Sequence, residues 1–79
     1  MAEIVFNIEK KLGTLSENKK GWAKEVNCVS WNNRKAKLDI REWDENHEKM
    51  GKGITFSREE IIKLKEILNE IDIENIDIG

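Results

Sequence analysis

Two tryptophans share a short stretch of this sequence with several cations, a combination suited to contacts with unpaired bases and phosphates. The segment SWNNRKAKLDIREW contains Trp31 and Trp43 together with four cations, Arg34, Lys35, Lys37 and Arg41. Flat rings stack on bases, and the cations between them follow the phosphates. Tryptophan is also a common core residue of strands, so the stretch leaves that second interpretation open.

The other reactive residue types do not combine into a catalytic or metal-binding set. The single cysteine, Cys28, alternates in phase with Val26, which predicts a core thiol. The single histidine, His47, lies in a charged loop, where a solvated side chain is expected. The carboxylates of that loop lack a complete metal-ligand pattern. We therefore predict no enzymatic activity, no metal, no cofactor and no small-molecule substrate.

The length predicts one small domain, residues 1–79, that needs a partner for stability. So short a chain buries only about 60% of its unfolded surface. A single cysteine allows no internal disulfide, so oligomerisation is the remaining way to stabilise the chain. A homodimer is the commonest form of oligomer. The sequence shows no signal peptide and no apolar run of membrane-spanning length, which predicts a cytoplasmic protein without a membrane partner.

Charge is distributed unevenly along a chain whose formal net charge is −2. Residues 10–52 contain eleven Lys and Arg against seven Asp and Glu, whereas residues 53–79 contain three against seven. Such asymmetry can give a positive face to an acidic protein. The same charges would also serve as ordinary solvated surface, so they favour a polyanionic partner without establishing one.

The apolar pattern predicts four strands followed by one helix, an α+β fold. Alternation of apolar and polar residues, with a kink at Gly13 in the first strand, predicts strands over about residues 3–15, 22–31, 37–43 and 54–56. After residue 56 the apolar residues recur with the spacing of a helix and no longer with that of a strand. Ser57 and Glu60 form a capping box ahead of an apolar stripe, which predicts a helix over about 58–70 and leaves an acidic tail, 71–79.

One helix can cover only one side of this sheet. Its apolar stripe should cover the Leu38 and Ile40 side or pair with a second copy of itself, and it consists of Ile61, Leu64, Leu68 and Ile71. The other side then carries Lys37, Arg41 and Trp43, and an exposed Trp and Arg on an uncovered face favour binding. Trp22 is open to two interpretations, a lid on the core or a third stacking ring.

Two blocks of the sequence resemble a known family. KLDIREW, followed after a polar loop by GKGITFSREEIIKLKEIL, is similar to the C-terminal domain of the transcriptional coactivator called positive cofactor four (PC4). The front block, KGWAKEVNCVSWNNR, is more similar to small bacterial YdbC-type relatives, and with them the resemblance extends from about residue 4 to residue 68. It implies a curved four-stranded antiparallel sheet with one helix, a homodimer, and binding of single-stranded DNA or melted duplex along the sheets.

The resemblance also implies roles for individual residues. Trp31 matches an aromatic residue that stacks on a base, and Arg41 matches an arginine that contacts the DNA backbone. Lys52 matches a lysine ahead of the last strand. A second stacking tryptophan of the coactivator falls on Asp44 here, so Trp43 would have to substitute from the preceding position. The resemblance does not extend to the Ser- and Lys-rich regulatory arm of the coactivator, which has no counterpart among these 79 residues.

The prediction from residues and resemblance together is a sequence-nonspecific single-stranded-DNA-binding protein of coactivator type, nucleoid-associated, with RNA as a further possible ligand class. The alternative is a protein–protein interaction module on the same fold that does not bind nucleic acid.

Overall fold

Four consecutive antiparallel strands and a C-terminal helix make up the structure, a computed structural model that describes residues 4–79. The elements are β1 (Phe6–Glu17), β2 (Ala23–Trp31), β3 (Lys37–Trp43), β4 (Met50–Phe56) and α1 (Arg58–Glu70). The strands lie in the order β1-β2-β3-β4, so each pairs with its neighbour in sequence. This confirms the predicted α+β fold. The predicted start of the first strand, at residue 3, lies outside the described residues.

The bounds of β3 and α1 match the prediction, whereas β1 and β4 differ from it. β4 begins at Met50, inside the segment predicted to be a loop. Its glycines are poor strand formers, but pairing of Gly53 with Arg41 and of Met50 with Trp43 outweighs their local preference. β1 likewise continues to Glu17 through residues predicted to be loop, because it pairs with β2 over its whole length.

Strand β1 is irregular because it contains three extra residues relative to β2. The register shifts between Ile8 and Lys10, between Lys11 and Gly13, and between Thr14 and Ser16. Each shift leaves one β1 residue without a partner, which bends the strand and increases its twist. The kink predicted at Gly13 coincides with the second shift.

The side of the sheet opposite α1, here called the helix-free face, is the better packed side of the chain. Directly paired residues of antiparallel strands point to the same side. The pairing of β2 with β3 therefore groups on this face the side chains of Glu25, Asn27, Val29, Trp31, Lys37, Asp39, Arg41 and Trp43. Val29 and Trp43 are the buried hydrophobic residues of the part of the chain described, and both lie here.

Helix α1 is firmly capped but poorly buried. Ser57 Oγ accepts from Glu60 N at 3.2 Å, and Glu60 Oε1 accepts from Ser57 N at 2.9 Å, so the predicted capping box is confirmed. The hydrogen bond that the Ser57 backbone N–H donates to the Glu60 carboxyl, and after it one from the Ser57 side chain, lower the pKa of that carboxyl. No residue of α1 is buried, and Leu68 is 49% exposed.

The predicted cover of the Leu38 and Ile40 side by α1 is therefore only partial. The helix lies near β3 and β4 and leaves an open groove of about 310 Å³, lined in part by Cys28, Leu38 and Phe56. Cys28 is half-buried there, not enclosed in a core. Within residues 4–79, no helix has the length and apolar character needed to cross a membrane.

Candidate nucleic-acid interface

The turn after β2 positions Trp31 and returns the basic loop towards it. Asn32 and Asn33 adopt φ values of 52° and 63°, a left-handed conformation that asparagine tolerates better than most residues. Asn32 exchanges hydrogen bonds with Val5, its N donating at 2.6 Å and its Oδ1 accepting at 3.2 Å. Ser30 Oγ donates to Arg34 O at 2.6 Å. These bonds hold the loop against the end of the sheet.

The indole of Trp31 is half-buried and in contact with two other side chains. The Phe6 ring centroid lies 5.9 Å away at an interplanar angle of 44°. On a ring face, the Arg41 guanidinium carbon lies 4.5 Å from the centroid, a cation–π geometry. The indole Nε1 is buried and has no hydrogen-bond partner. Aromatic and cationic contacts, not a hydrogen bond, therefore hold this ring.

Arg41 is itself held by a buried carboxylate on the same strand. Its Nε and Nη2 donate to Asp39 Oδ1 and Oδ2 at 2.7 and 2.8 Å, a bidentate pair. The Asp39 side chain is fully buried and the Arg41 side chain is 14% exposed. Nη1 has longer contacts of 3.5 Å to Gly51 O and Met50 Sδ. The guanidinium is therefore fixed from three sides.

A shallow cavity of about 390 Å³ lies beside Trp31 and brings together most of the predicted site. It is lined by all four cations of the opening segment, Arg34, Lys35, Lys37 and Arg41, together with Ile4, Trp31, Asn32, Met50 and Thr55. Arg34, Lys35 and Lys37 are exposed, so their charges are free to meet a ligand. An aromatic ring beside a cluster of cations is what a nucleotide with its phosphate requires.

Three predicted residues are not part of this arrangement. Trp43 is fully buried, with Phe6 at 5.0 Å and His47 at 5.7 Å between ring centroids, so it offers no ring face to a base. Its assignment as a stacking residue is wrong in this structure, because the side chain is enclosed even though it points to the expected face. Trp22 precedes β2 and is separated from Trp31 by the length of that strand, roughly 30 Å. Lys52 is exposed on β4 but does not line the cavity.

Sequence reasoning missed several residues of the cavity wall. Thr55 pairs with Asp39 and so reaches the helix-free face, and Met50 was assigned to a loop. The late predicted start of β4 hid Met50, whereas Thr55 lay inside the predicted strand, 54–56, and only its pairing with Asp39 shows which face it reaches. The alternation of Phe6 and Ile8 signalled a buried side of β1, but only the pairing of Phe6 with Trp31 shows which ring it contacts.

A second polar cluster lies further along the helix-free face, and it includes the histidine predicted to be solvated. His47 is half-buried, and its Nε2 lies 2.9 and 3.0 Å from the two carboxylate oxygens of Glu25. Asn27 Nδ2 donates to Glu25 Oε1 at 3.1 Å. Burial alone would raise the pKa of Glu25, but hydrogen bonds from His47 and Asn27 and the nearby charges, including Lys11, outweigh it and lower that pKa. The prediction of a solvated histidine is therefore wrong.

The fold is a small domain with an open four-stranded sheet, and it presents an aromatic and cationic surface on the side that the helix leaves free. The chain belongs to the family described as Transcriptional Coactivator p15 (PC4), whose model matches residues 18–67. It is also 41% identical over 69 residues to an uncharacterized protein of Treponema pallidum (strain Nichols), a match covering 87% of this chain and 81% of that protein. The family resemblance seen in the sequence is thus confirmed, while the YdbC-type assignment stays a prediction.

Proposed function

We propose that this protein binds single-stranded DNA, without strong sequence preference and without enzymatic activity, through the surface around Trp31. The observation that carries the proposal is the 390 Å³ cavity, where an indole and four cations meet on the face opposite α1. Membership of a family named for a transcriptional coactivator supports a role in transcription regulation. Melted duplex and RNA offer the same unpaired bases, and we include them as ligands of the same surface.

The side chains around the cavity are assigned different contacts with the DNA according to their exposure and chemistry. An unpaired base stacks on or beside Trp31, which contributes roughly 1–3 kcal/mol per base. Arg34, Lys35 and Lys37 contact the phosphates on either side of that base, because they are exposed and line the same cavity. Lys52 remains a predicted phosphate contact outside the cavity. These contacts recognise the charge of the phosphates and the flat face of a base, but not the hydrogen-bonding groups that distinguish one base from another. Flexible pyrimidine runs should therefore bind best, because their bases unstack easily.

The functional unit is proposed to be a homodimer in which α1 pairs with a second copy. The predicted stripe supports this: Ile61, Leu64 and Ile71 are only half-buried and Leu68 is 49% exposed. Ile62 and Ile67, on the same helix, are 55% and 48% exposed. An apolar surface of this kind on a short helix is suited to association.

The same exposed helix favours a second candidate, a protein–protein interaction module without nucleic-acid binding. In that case α1 would receive a different protein, and the cations beside Trp31 would be solvated surface. Binding of an oligonucleotide separates the two candidates directly, since only the first requires it.

The test is a titration of the protein with oligo-dT, duplex DNA and RNA, followed by Trp fluorescence and anisotropy. Oligo-dT should bind more tightly than duplex, whose stacked bases cannot reach Trp31. Log affinity should fall with log salt at a slope of about −0.7 per neutralised phosphate. Trp31→Ala should weaken binding by roughly 1–3 kcal/mol. The matched control, Trp22→Ala, removes a ring far from the cavity and should change affinity little.

Equal affinity for duplex and single strand, or a flat salt dependence, would favour the protein-interaction candidate. Melting curves of both Trp variants complete the experiment. A loss of affinity by Trp31→Ala counts for stacking only if its thermal midpoint stays close to that of the parent protein.

A further inference from the structure

The Asp39–Arg41 pair points to a role for Arg41 that deepens the proposed binding of single-stranded nucleic acid and rests on it. A phosphate contact needs donors and net positive charge at the surface. Arg41 instead directs Nε and Nη2 to a fully buried carboxylate on its own strand. Its charge is balanced by that of Asp39, and its side chain is only 14% exposed. The exposed neighbours Lys37, Arg34 and Lys35 have no such internal carboxylate partner among the ion pairs of residues 4–79.

Trp31 depends on Arg41 for its orientation. A partly buried indole is usually anchored by a hydrogen bond from its N–H, but Nε1 of Trp31 has no partner. The guanidinium lies 4.5 Å from the ring centroid, within cation–π range. Phe6 contacts the ring at a tilted 44° and covers it less directly. The plane of the stacking surface is therefore set largely by where Asp39 holds the guanidinium.

The neighbouring strand leaves space for this arrangement at Gly53. A Cβ at that position would lie 2.3 Å from Arg41 Cβ, 2.5 Å from Ile40 O and 2.9 Å from Arg41 Nε. A side chain at this position would therefore require the β3 backbone or the Arg41 side chain to shift. Three strands thus contribute to one assembly, with Trp31 on β2, Asp39 and Arg41 on β3, and Gly53 on β4.

We propose that Arg41 is a positioning residue, held by Asp39, that fixes the Trp31 ring for an unpaired base and does not neutralise a phosphate. This differs from the backbone contact that the family resemblance implies for Arg41. Phosphate neutralisation at the cavity then falls to Lys37, Arg34 and Lys35. The two roles predict different salt dependences, because a phosphate contact releases counterions and an internal ion pair does not.

The main test variant is the double substitution Asp39→Asn with Arg41→Gln. It removes one negative and one positive charge, so the net charge stays constant and no buried carboxylate is left unpaired. We expect oligo-dT affinity to fall about tenfold, the scale of a lost cation–π contact, with an unchanged salt slope. The matched control, Lys37→Gln, removes an exposed cation of the same strand and should make the slope shallower by about 0.7.

A spectroscopic reading separates positioning from a general loss of structure. In the free protein, the indole N–H resonance of Trp31 should shift in the double variant, while that of the distant Trp22 should stay in place. Arg41→Lys provides a second variant if the first fails to fold. It keeps the charge and an ion pair with Asp39 but lacks the planar group, and we expect a loss of similar size with the slope preserved.

A slope shallower by about 0.7 in the double variant, or parental affinity in Arg41→Lys, would overturn the positioning role and restore the phosphate contact. Parental affinity in a folded double variant would overturn it as well. In each case oligo-dT binding by the unsubstituted protein would still stand. Failure of the unsubstituted protein to bind oligo-dT would instead overturn the proposed function, and the positioning role with it.

Discussion

At the scale of single residues, Trp31 and Trp43 show how one residue type takes two roles on the same face. Both point away from α1, but Trp43 is fully covered by neighbouring side chains, whereas Trp31 borders a cavity. Phe6 lies against both rings and is their common neighbour. The difference comes from the loop after β3, which brings His47 against the Trp43 ring.

Trp43→Ala should destabilise the fold by roughly 3–5 kcal/mol, because a fully enclosed large ring is replaced by a cavity. Chemical denaturation of the parent and the variant measures this difference. Trp43→Phe keeps most of the volume and should recover much of the loss. A variant that melts like the parent but loses oligo-dT affinity would contradict the core assignment and return Trp43 to the stacking surface.

At the scale of elements, the loop between β3 and β4 is an ordered turn, and hydrogen bonds between its two ends hold it in place. Asp44 Oδ1 accepts from Glu48 N at 2.9 Å and from Lys49 N at 3.0 Å, and Asp44 N donates to Lys49 O at 3.1 Å. His47 has a φ of 56° at the centre of this turn. The turn thus directs the imidazole back to Glu25 on β2, and so ties the loop to the sheet.

The Glu25 contact should make stability depend on pH. Its hydrogen bonds lower the folded-state pKa below the usual 4.5, so the carboxylate stabilises the fold above that value. The contribution is lost as pH falls from 4.5 through the lowered folded value. Glu25→Gln should therefore cost about 1–2 kcal/mol at neutral pH and nothing in strongly acid solution. Urea denaturation of both proteins across pH measures this. A difference that persists unchanged in acid would contradict it.

The elements also show what the sequence can and cannot predict. β3 and α1 matched in their bounds, because the alternation at the start of KLDIREW and a capping box are local signals. The early start of β4 and the three extra residues of β1 depend on which strand lies alongside, so no local pattern contains them. The sequence placed Arg41 and Trp43 on the correct face but did not predict their contacts with Asp39 and His47. The contact of Trp43 with His47 depends on the path of the loop after β3, whereas Asp39 lies two residues before Arg41 on the same strand, a local spacing that the prediction did not use.

At the scale of the whole molecule, the two sides of the sheet are unequal. The helix-free face holds the buried residues Val29 and Trp43, while α1 on the other side has no buried residue. A capping box fixes where the helix begins, but a helix of 13 residues is only marginally stable without tertiary packing. The helix side of a single chain is therefore incomplete, which is the physical argument for the proposed dimer.

The proposed dimer makes two predictions, one for the mass of the protein in solution and one for its thermal unfolding. Sedimentation at micromolar concentration should give about twice the 9.2 kDa mass of the chain, and the thermal midpoint should rise with protein concentration. Leu68→Glu places a charge on the exposed stripe of α1 and should abolish the concentration dependence and lower the midpoint. The control, Ile73→Glu, alters a residue of the tail that is 70% exposed and should leave both unchanged. A 9.2 kDa species whose midpoint does not vary with concentration would show that α1 is stable without a second copy.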